Sequence, residues 1–326
     1  MNALLICPEF FDYATHMQDA IERQGLQCFR IDEKPSNISF SKIIIRLLGR
    51  KKIVQKFLLK SLQNKVNTLN IDSFDYIVII KAECVSNEFM IWLKSKYIKS
   101  KFLFYAWDSI RNYPHVEGLL HHFDQCFSFD RNDSLNYERL EHLPLFYSPH
   151  YKKSTETPKV GRISFIGSYH SDRFDVLNKI QEKYSDIYDL NFNIYFPSVI
   201  IFSSFLMKNY RSLSSFKNFR LTLKPISGED IVKVYNNSSA VVDIHHPHQN
   251  GLTMRVIELL PLRRKIITTN ESVKDYPFYH KNNICIIDRD DPVIDDEFIT
   301  GKYVQTDELF ISLYSIDSWA KKLLSI

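Results

Sequence analysis

Ala240-Val-Val-Asp-Ile-His-His-Pro-His-Gln-Asn-Gly-Leu-Thr-Met-Arg-Val-Ile-Glu-Leu-Leu260, followed by Lys265-Ile-Ile-Thr-Thr-Asn270, is the stretch whose reading decides the fold. A short apolar run reads as a buried strand, a polar loop leaves it and closes at Asn250-Gly251, and a helix starts near Leu252. A second apolar run, Lys265–Thr269, follows the helix, so the whole is a strand–helix–strand unit of a parallel sheet. Gly251, Arg255 and Glu258 recur at helical spacing and share one face, while Leu252, Val256, Leu259 and Leu260 take the buried face.

The same alternation extends both ways from this unit. Strands are expected at Ala3–Cys7, Gln27–Ile31, Tyr76–Ile80, Phe102–Ala106 and Gln125–Phe129, with a helix His16–Gln24 closed by Gly25. Leu143–Pro149 ends this half, and the polar segment Tyr151–Gly161 reads as a linker. The pattern restarts with a strand Arg162–Ile166 ending at Gly167 and a helix Arg173–Tyr184. Strands Leu190–Phe196, Phe219–Leu223, Ala240–Ile244, Lys265–Thr269 and Ile284–Ile287 follow, and Leu309–Leu324 reads as a closing helix. The expected fold is α/β, two Rossmann-like doubly wound domains facing a cleft, over residues 1–150 and 151–326, with the last helix free to pack back on the first domain. Ligands of such sheets sit beyond the carboxyl ends of the strands.

An apolar share of 44% and a charged share of 25% exclude disorder, and a net charge of +4 does not mark a general nucleic-acid binder. The N-terminus lacks the pattern of a signal peptide, and no apolar run reaches the roughly 18 residues that span a bilayer. Cys7, Cys28, Cys84, Cys126 and Cys285 are scattered without CxxC spacing and read as buried free thiols of a cytoplasmic protein.

A glycine before a helix lets a phosphate approach the first backbone N–H groups, where the helix dipole places about half a positive charge. Arg255 can add a charge-assisted contact to that anion, and Glu258, further along, can accept both hydroxyls of a ribose. An isolated Arg-x-x-Glu is more often an ion pair on a solvated face. The strand–loop–glycine–helix setting favours the anion site.

With Phe165-Ile-Gly-Ser168 and the following Arg173, then Gly251-Leu-Thr253-Met-Arg255-Val-Ile-Glu258 and Lys265–Asn270, the C-terminal half resembles the donor-binding domain of GT-B glycosyltransferases. The resemblance is greatest to the CgeB-like bacterial group associated with capsule and lipopolysaccharide, and covers about Arg162–Asp288. One departure is Leu260-Pro-Leu-Arg-Arg-Lys265, which stands where that family has a small-residue turn with a glycine. The resemblance implies transfer of a sugar from a nucleotide-sugar, UDP being the commoner base, to a surface-glycan or lipid-linked glycan acceptor, with no cofactor. Glu258 would bind the donor ribose, and Gly251, Thr253 and Arg255 the diphosphate. Gly167, Ser168 and Arg173 would line the opposite wall, with Asn270 on the following strand end. His246 or His248 would face the sugar or phosphate, and Gln249 the donor hydroxyls. The same resemblance includes members without activity, which leaves a nucleotide-sugar-binding or scaffold subunit as the alternative.

No metal is expected. The cluster His245, His246 and His248 lacks a nearby CxxC or second histidine pair, and Asp288-Arg-Asp290-Asp291 and Asp295-Asp296-Glu297 read as a solvated acidic loop. On the acceptor side, Phe11 and Trp107 offer aromatic faces for a sugar. An inverting transfer needs a general base: Asp108 is the first candidate, followed by Glu9, Asp12 and His16. Asp108 reads equally well as a helix N-cap. Between Lys42 and Lys65, eight basic residues interleave with apolar ones without an acid, a pattern that suits an interfacial helix on anionic lipid or a basic domain helix. A missing GxGxxG after the first strand, where Cys7-Pro8-Glu9-Phe10 stands, argues against another two-domain Rossmann enzyme such as an epimerase or dehydrogenase.

Overall fold

A computed structural model of the chain describes residues 1–35, 52–152, 157–210, 216–247 and 249–326. Two units divide it: Met1–Phe146 with Tyr314–Ile326, and Tyr147–Leu313. Each is built on a six-stranded, wholly parallel sheet.

The strands of the first unit are β1 (Asn2–Cys7), β2 (Gln27–Asp32), β3 (Tyr76–Ile80), β4 (Lys101–Ala106), β5 (Gln125–Ser128) and β6 (Leu140–His142). Its helices are α1 (Tyr13–Arg23), α2 (Lys52–Thr68), α3 (Asn87–Lys96) and α4 (Arg131–Asn136). In the order β2-β1-β3-β4-β5-β6 the progression of strands reverses between β1 and β3. Central strands such as Tyr76–Ile80 are continuous apolar runs because both of their faces are covered. Gly25 takes φ +87° just after α1, the left-handed turn that ends the helix.

The second unit holds β7 (Lys159–Ser168), β8 (Asp189–Tyr195), β9 (Phe219–Thr222), β10 (Ser238–Asp243), β11 (Lys265–Thr268) and β12 (Ile284–Ile286). Around them lie α5 (Arg173–Tyr184), α6 (Val199–Asn209), α7 (Gly228–Asn236), α8 (Met254–Leu262), α9 (Asp296–Thr300) and α10 (Glu308–Ser312). Its order, β12-β11-β10-β7-β8-β9, reverses between β10 and β7. A phenylalanine cluster on one face joins Phe174 to Phe205, Phe216 and Phe219 at centroid distances of 4.7, 5.0 and 4.9 Å.

Two doubly wound sheets match the expected class, and several boundaries differ from it. The expected helix His16–Gln24 begins a turn earlier, at Tyr13, and β6 has no counterpart among the expected strands. The single helix expected over Leu309–Leu324 is two: α10, and α11 (Ile316–Leu324), which belongs to the first unit. Ser315 starts α11 afresh, its hydroxyl accepting from the Ser318 N–H at 3.2 Å, so the chain turns there instead of continuing. On α11, Trp319 is 1% exposed and packs on Tyr105 and Phe146 at 5.2 and 4.8 Å between ring centroids.

Candidate functional site

The topological switch of the second unit gathers most of the residues expected around a donor. Gly167 ends β7 beside Ser168, Asp243 ends β10 and Thr268 ends β11. Helix α8 starts at Met254, two residues later than its pattern suggested, with Thr253 as its N-cap. Thr253 does not cap its own helix: its hydroxyl donates to Asp243 Oδ1 at 2.7 Å. The first backbone N–H groups of α8 are thus left to other acceptors, at the positive pole of the dipole.

Asp243 is fully buried and explains the diversion. Besides Thr253 it accepts from Thr268 Oγ1 at 3.0 Å and from Arg255 Nη1 at 2.8 Å. Arg255, expected on an exposed face toward phosphate, is drawn inward by this carboxylate. Its Nε meets the Tyr235 hydroxyl at 3.3 Å, its Nη2 donates to the Ile166 carbonyl, and its guanidinium lies 4.7 Å from the Phe165 ring centroid. Burial opposes its charge, and Tyr235 and Asp243 more than offset that.

Arg173 stands on the other side of Gly167, at the start of α5, and is 7% exposed. It donates to main-chain oxygens, Ser168 O at 2.9 Å and Ile244 O at 2.9 Å. Burial first, and then the neighbouring Arg255, push its guanidinium down to about 9. Two buried guanidiniums therefore flank one glycine, and a bound anion would relieve their repulsion. A Cβ on Gly167 would lie 2.8 Å from Arg255 Nη2 and 3.2 Å from Arg173 Nη1, so the site needs glycine for close approach.

Glu258 follows Arg255 on α8 and is 4% exposed. Gly251 is buried, and Asn270 Nδ2 fixes its loop by donating to the Asn250 and Gly251 carbonyls at 3.2 and 3.3 Å. Gln249 donates its N–H to the His246 carbonyl at 3.0 Å. His246 is half-buried, its ring 6.0 Å from that of His170, while His248 lies outside the described residues. Partial desolvation, then Arg173, holds His170 well below the usual histidine range. Among the described residues no group of three or more His, Cys, Asp or Glu side chains is gathered to hold a metal.

Asp243 and Arg289 were not anticipated from the sequence. Arg289 bonds Asp172 at 2.8 Å and the His245 carbonyl at 2.7 Å, tying the loop after β7 to the loop after β10. His245 is buried against Thr269 Oγ1 at 2.8 Å, and burial, then Arg289, lowers it to about 4. The one sequence signal for Asp243 was a charge closing an apolar run.

In the first unit the switch lies at the ends of β1, β3 and β4. After β1, Phe10 and Phe11 are both exposed, and it is Phe10, unforeseen, whose ring meets Trp107 at 6.2 Å. Phe11 packs on Phe10 at 4.7 Å, so Phe11 and Trp107 belong to one aromatic surface. Glu9 is paired with Arg30 at 2.9 Å, Asp12 precedes α1 without capping it, and half-buried His16 lies one turn inside.

Asp108 follows Trp107 and is paired with Lys81 Nζ at 2.8 Å. The N-cap reading fails, since the Ile110 N–H donates to Asp133 at 3.0 Å instead. Lys81 and Ala82 adopt φ of 72° and 59°, two successive non-glycine residues in the left-handed region. Such strain is held at functional sites by surrounding bonds, here including His115 Nε2 on the Ala82 carbonyl at 3.0 Å. Burial alone would lower the Lys81 ammonium, but Asp108, Tyr113 and Glu83 hold it above its usual value. Behind it, Glu33 is 1% exposed; its Oε2 accepts from the Cys84 N–H at 3.2 Å and its Oε1 has no partner among the described residues.

The basic stretch is described only from Lys52 onward. There Leu58, Leu62 and Val66 of α2 are buried in the unit's core, while Ile53 and Phe57 are exposed. Lys65 turns inward to the Asp32 carbonyl at 2.8 Å. No helix among the described residues is long and apolar enough to cross a membrane.

Neither a protein-family model nor a curated protein sequence matches the chain. Solved structures match its fold. An Escherichia coli structure described as trehalose-6-phosphate bound with UDP-2-fluoro glucose aligns with TM-score 0.64 and 12% identity, over 100% of this chain and 98% of the other. Anabaena Alr3699/HepE in complex with UDP-glucose aligns with TM-score 0.65 and 5% identity, over 100% and 98%. The UDP-GlcNAc 2-epimerase of Methanocaldococcus jannaschii, in complex with UDP-GlcNAc and UDP, aligns with TM-score 0.55 and 11% identity, over 100% and 99%. The fold is thus the two-domain GT-B arrangement of Rossmann-like sheets, shared by glycosyltransferases and UDP-sugar epimerases.

Proposed function

We propose that the chain is a glycosyltransferase that takes a sugar from a UDP-linked donor and passes it to a bacterial surface-glycan acceptor without a metal. The observation that carries this reading is the uncapped start of α8 beside the Arg173–Gly167–Arg255 cluster. Those backbone N–H groups and Arg173 can hold a diphosphate and stabilise it as a leaving group, and Glu258 can accept the ribose hydroxyls. The second unit is then the donor domain. The aromatic surface of Phe10, Phe11 and Trp107 gives the first unit an acceptor-binding character, with Asp108 beside it as the base. UDP-sugars in structurally similar proteins support the donor class. A lipid-linked acceptor and contact with anionic lipid through Lys42–Lys65 complete the proposal. Equal sedimentation with neutral and anionic vesicles would remove the lipid contact.

Fold similarity to a UDP-GlcNAc 2-epimerase supports a second reading, epimerisation of a UDP-sugar, against which the missing GxGxxG counts. Incubation with UDP-sugars, followed by separation of free UDP from nucleotide-sugar, tells them apart. Transfer releases UDP; epimerisation returns an isomeric UDP-sugar. Donor binding without either product would leave the scaffold alternative. Glu258→Ala should weaken UDP binding at least about tenfold on any of these readings, and an unchanged Kd would reject the proposed donor site.

A further inference from the structure

At the opposite, amino-terminal edge of the second unit's sheet lies a cavity of about 340 Å³, large enough for a small ligand. The starts of β10 and β11 contribute Ser239 and Lys265, the turn after α8 contributes Arg263 and Arg264, and Tyr303 and Gln305 complete the wall. Four residue steps along β10, roughly 13 Å, separate Ser239 from Asp243 at the donor end.

Three consecutive cations reach this cavity from the turn that departs from the resembled family. Arg263 holds φ 54° beyond α8; it pairs with Glu308 through Nη2, yet its Nε is buried without a partner among the described residues. Lys265 is 5% exposed, and its ammonium donates to main-chain oxygens, Ile299 O at 3.4 Å and Gly301 O at 2.5 Å among them. Burial alone lowers it, with no carboxylate raising it back. Arg264 is 8% exposed, with Nε on the Tyr235 carbonyl at 3.2 Å. An oxyanion in the cavity would offset the charge of these three neighbouring cations.

We infer that this cavity is a second anion site, which takes the phosphoryl group of a small solute through the positive charge of Arg263, Arg264 and Lys265. It is separate from the donor site and does not depend on the proposed activity.

Inorganic pyrophosphate is the probe, and amide hydrogen exchange on the full chain locates where it binds. Pyrophosphate should protect residues 262–265 and 299–306, whatever it does at 251–256. Arg263→Asn keeps a residue that tolerates the left-handed turn, and Val160→Trp, from an exposed position on the cavity rim, fills the space without removing charge. Each should weaken this protection at least about tenfold in pyrophosphate concentration. Absence of protection at millimolar pyrophosphate, or protection equally strong in Val160→Trp, would overturn the inference.

Discussion

Gly167→Ala tests the geometry on which the donor site rests. The new Cβ would lie 2.8 Å from Arg255 Nη2, 2.8 Å from Phe165 Cζ and 3.2 Å from Arg173 Nη1. Ordinary contact begins near about 3.5 Å, so two of these neighbours must retreat by roughly 0.7 Å. Phe165 is fully buried, so its ring can give way only by disturbing the core around it, while the Arg255 guanidinium must move as well. The 2.8 Å bond from Arg255 to Asp243 then stretches toward the limit of a hydrogen bond. Overpacking of this kind costs about 1–3 kcal/mol, which lowers Tm by roughly 2–12 °C for a unit of this size. If the displaced guanidiniums also frame the diphosphate, UDP affinity falls about tenfold to a hundredfold, as for loss of one bond to a charged group. Thermal melts with and without UDP, and calorimetric titration, measure both effects. An alanine variant that melts within about 1 °C of wild type and binds UDP within about twofold would refute the close approach.

Asp108→Asn should reduce turnover about a hundredfold or more with donor affinity unchanged, and normal turnover would eliminate it as the base. Burial, then Glu83, pushes Glu33 up to about 8. The folded chain therefore keeps a proton that the unfolded chain, with a carboxyl near about 4.3, releases. Stability should be full below about pH 4.5 and fall by on the order of a few kcal/mol as pH rises through about 8. Glu33→Gln should flatten that slope in urea melts at about pH 5, 7 and 9, and parallel slopes would reject the neutral buried carboxyl. Trp319→Ala should destabilise the first unit by about 3–5 kcal/mol, seen calorimetrically as one transition moving while the other stays.

Strand ends were readable because apolar runs of five or six residues give way abruptly to polar ones, and this fixed Gly167 and Thr253 beside a helix start. Partners were not readable. Arg255 and Arg173 look like surface residues of amphipathic helices, and partners on other elements, as far as 89 and 71 positions away along the chain, turn them inward. Asp243 was hidden by being the last residue of an otherwise apolar strand, and Arg289 by lying in an acidic loop that reads as solvated. The break at Ser315 was missed because Leu309–Leu324 keeps helical periodicity across it, and a single capping hydroxyl outweighs that pattern.

Because α11 returns to the sheet of the first unit, that unit is interrupted in the chain by the whole of the second. During translation the nascent first sheet must wait, with the seat of Trp319 open between Tyr105 and Phe146, while residues 147–313 are made. The second unit can mature first although it begins later. A released chain that ends at residue 313 would therefore hold the whole second unit and a first unit with Tyr105 and Phe146 uncovered.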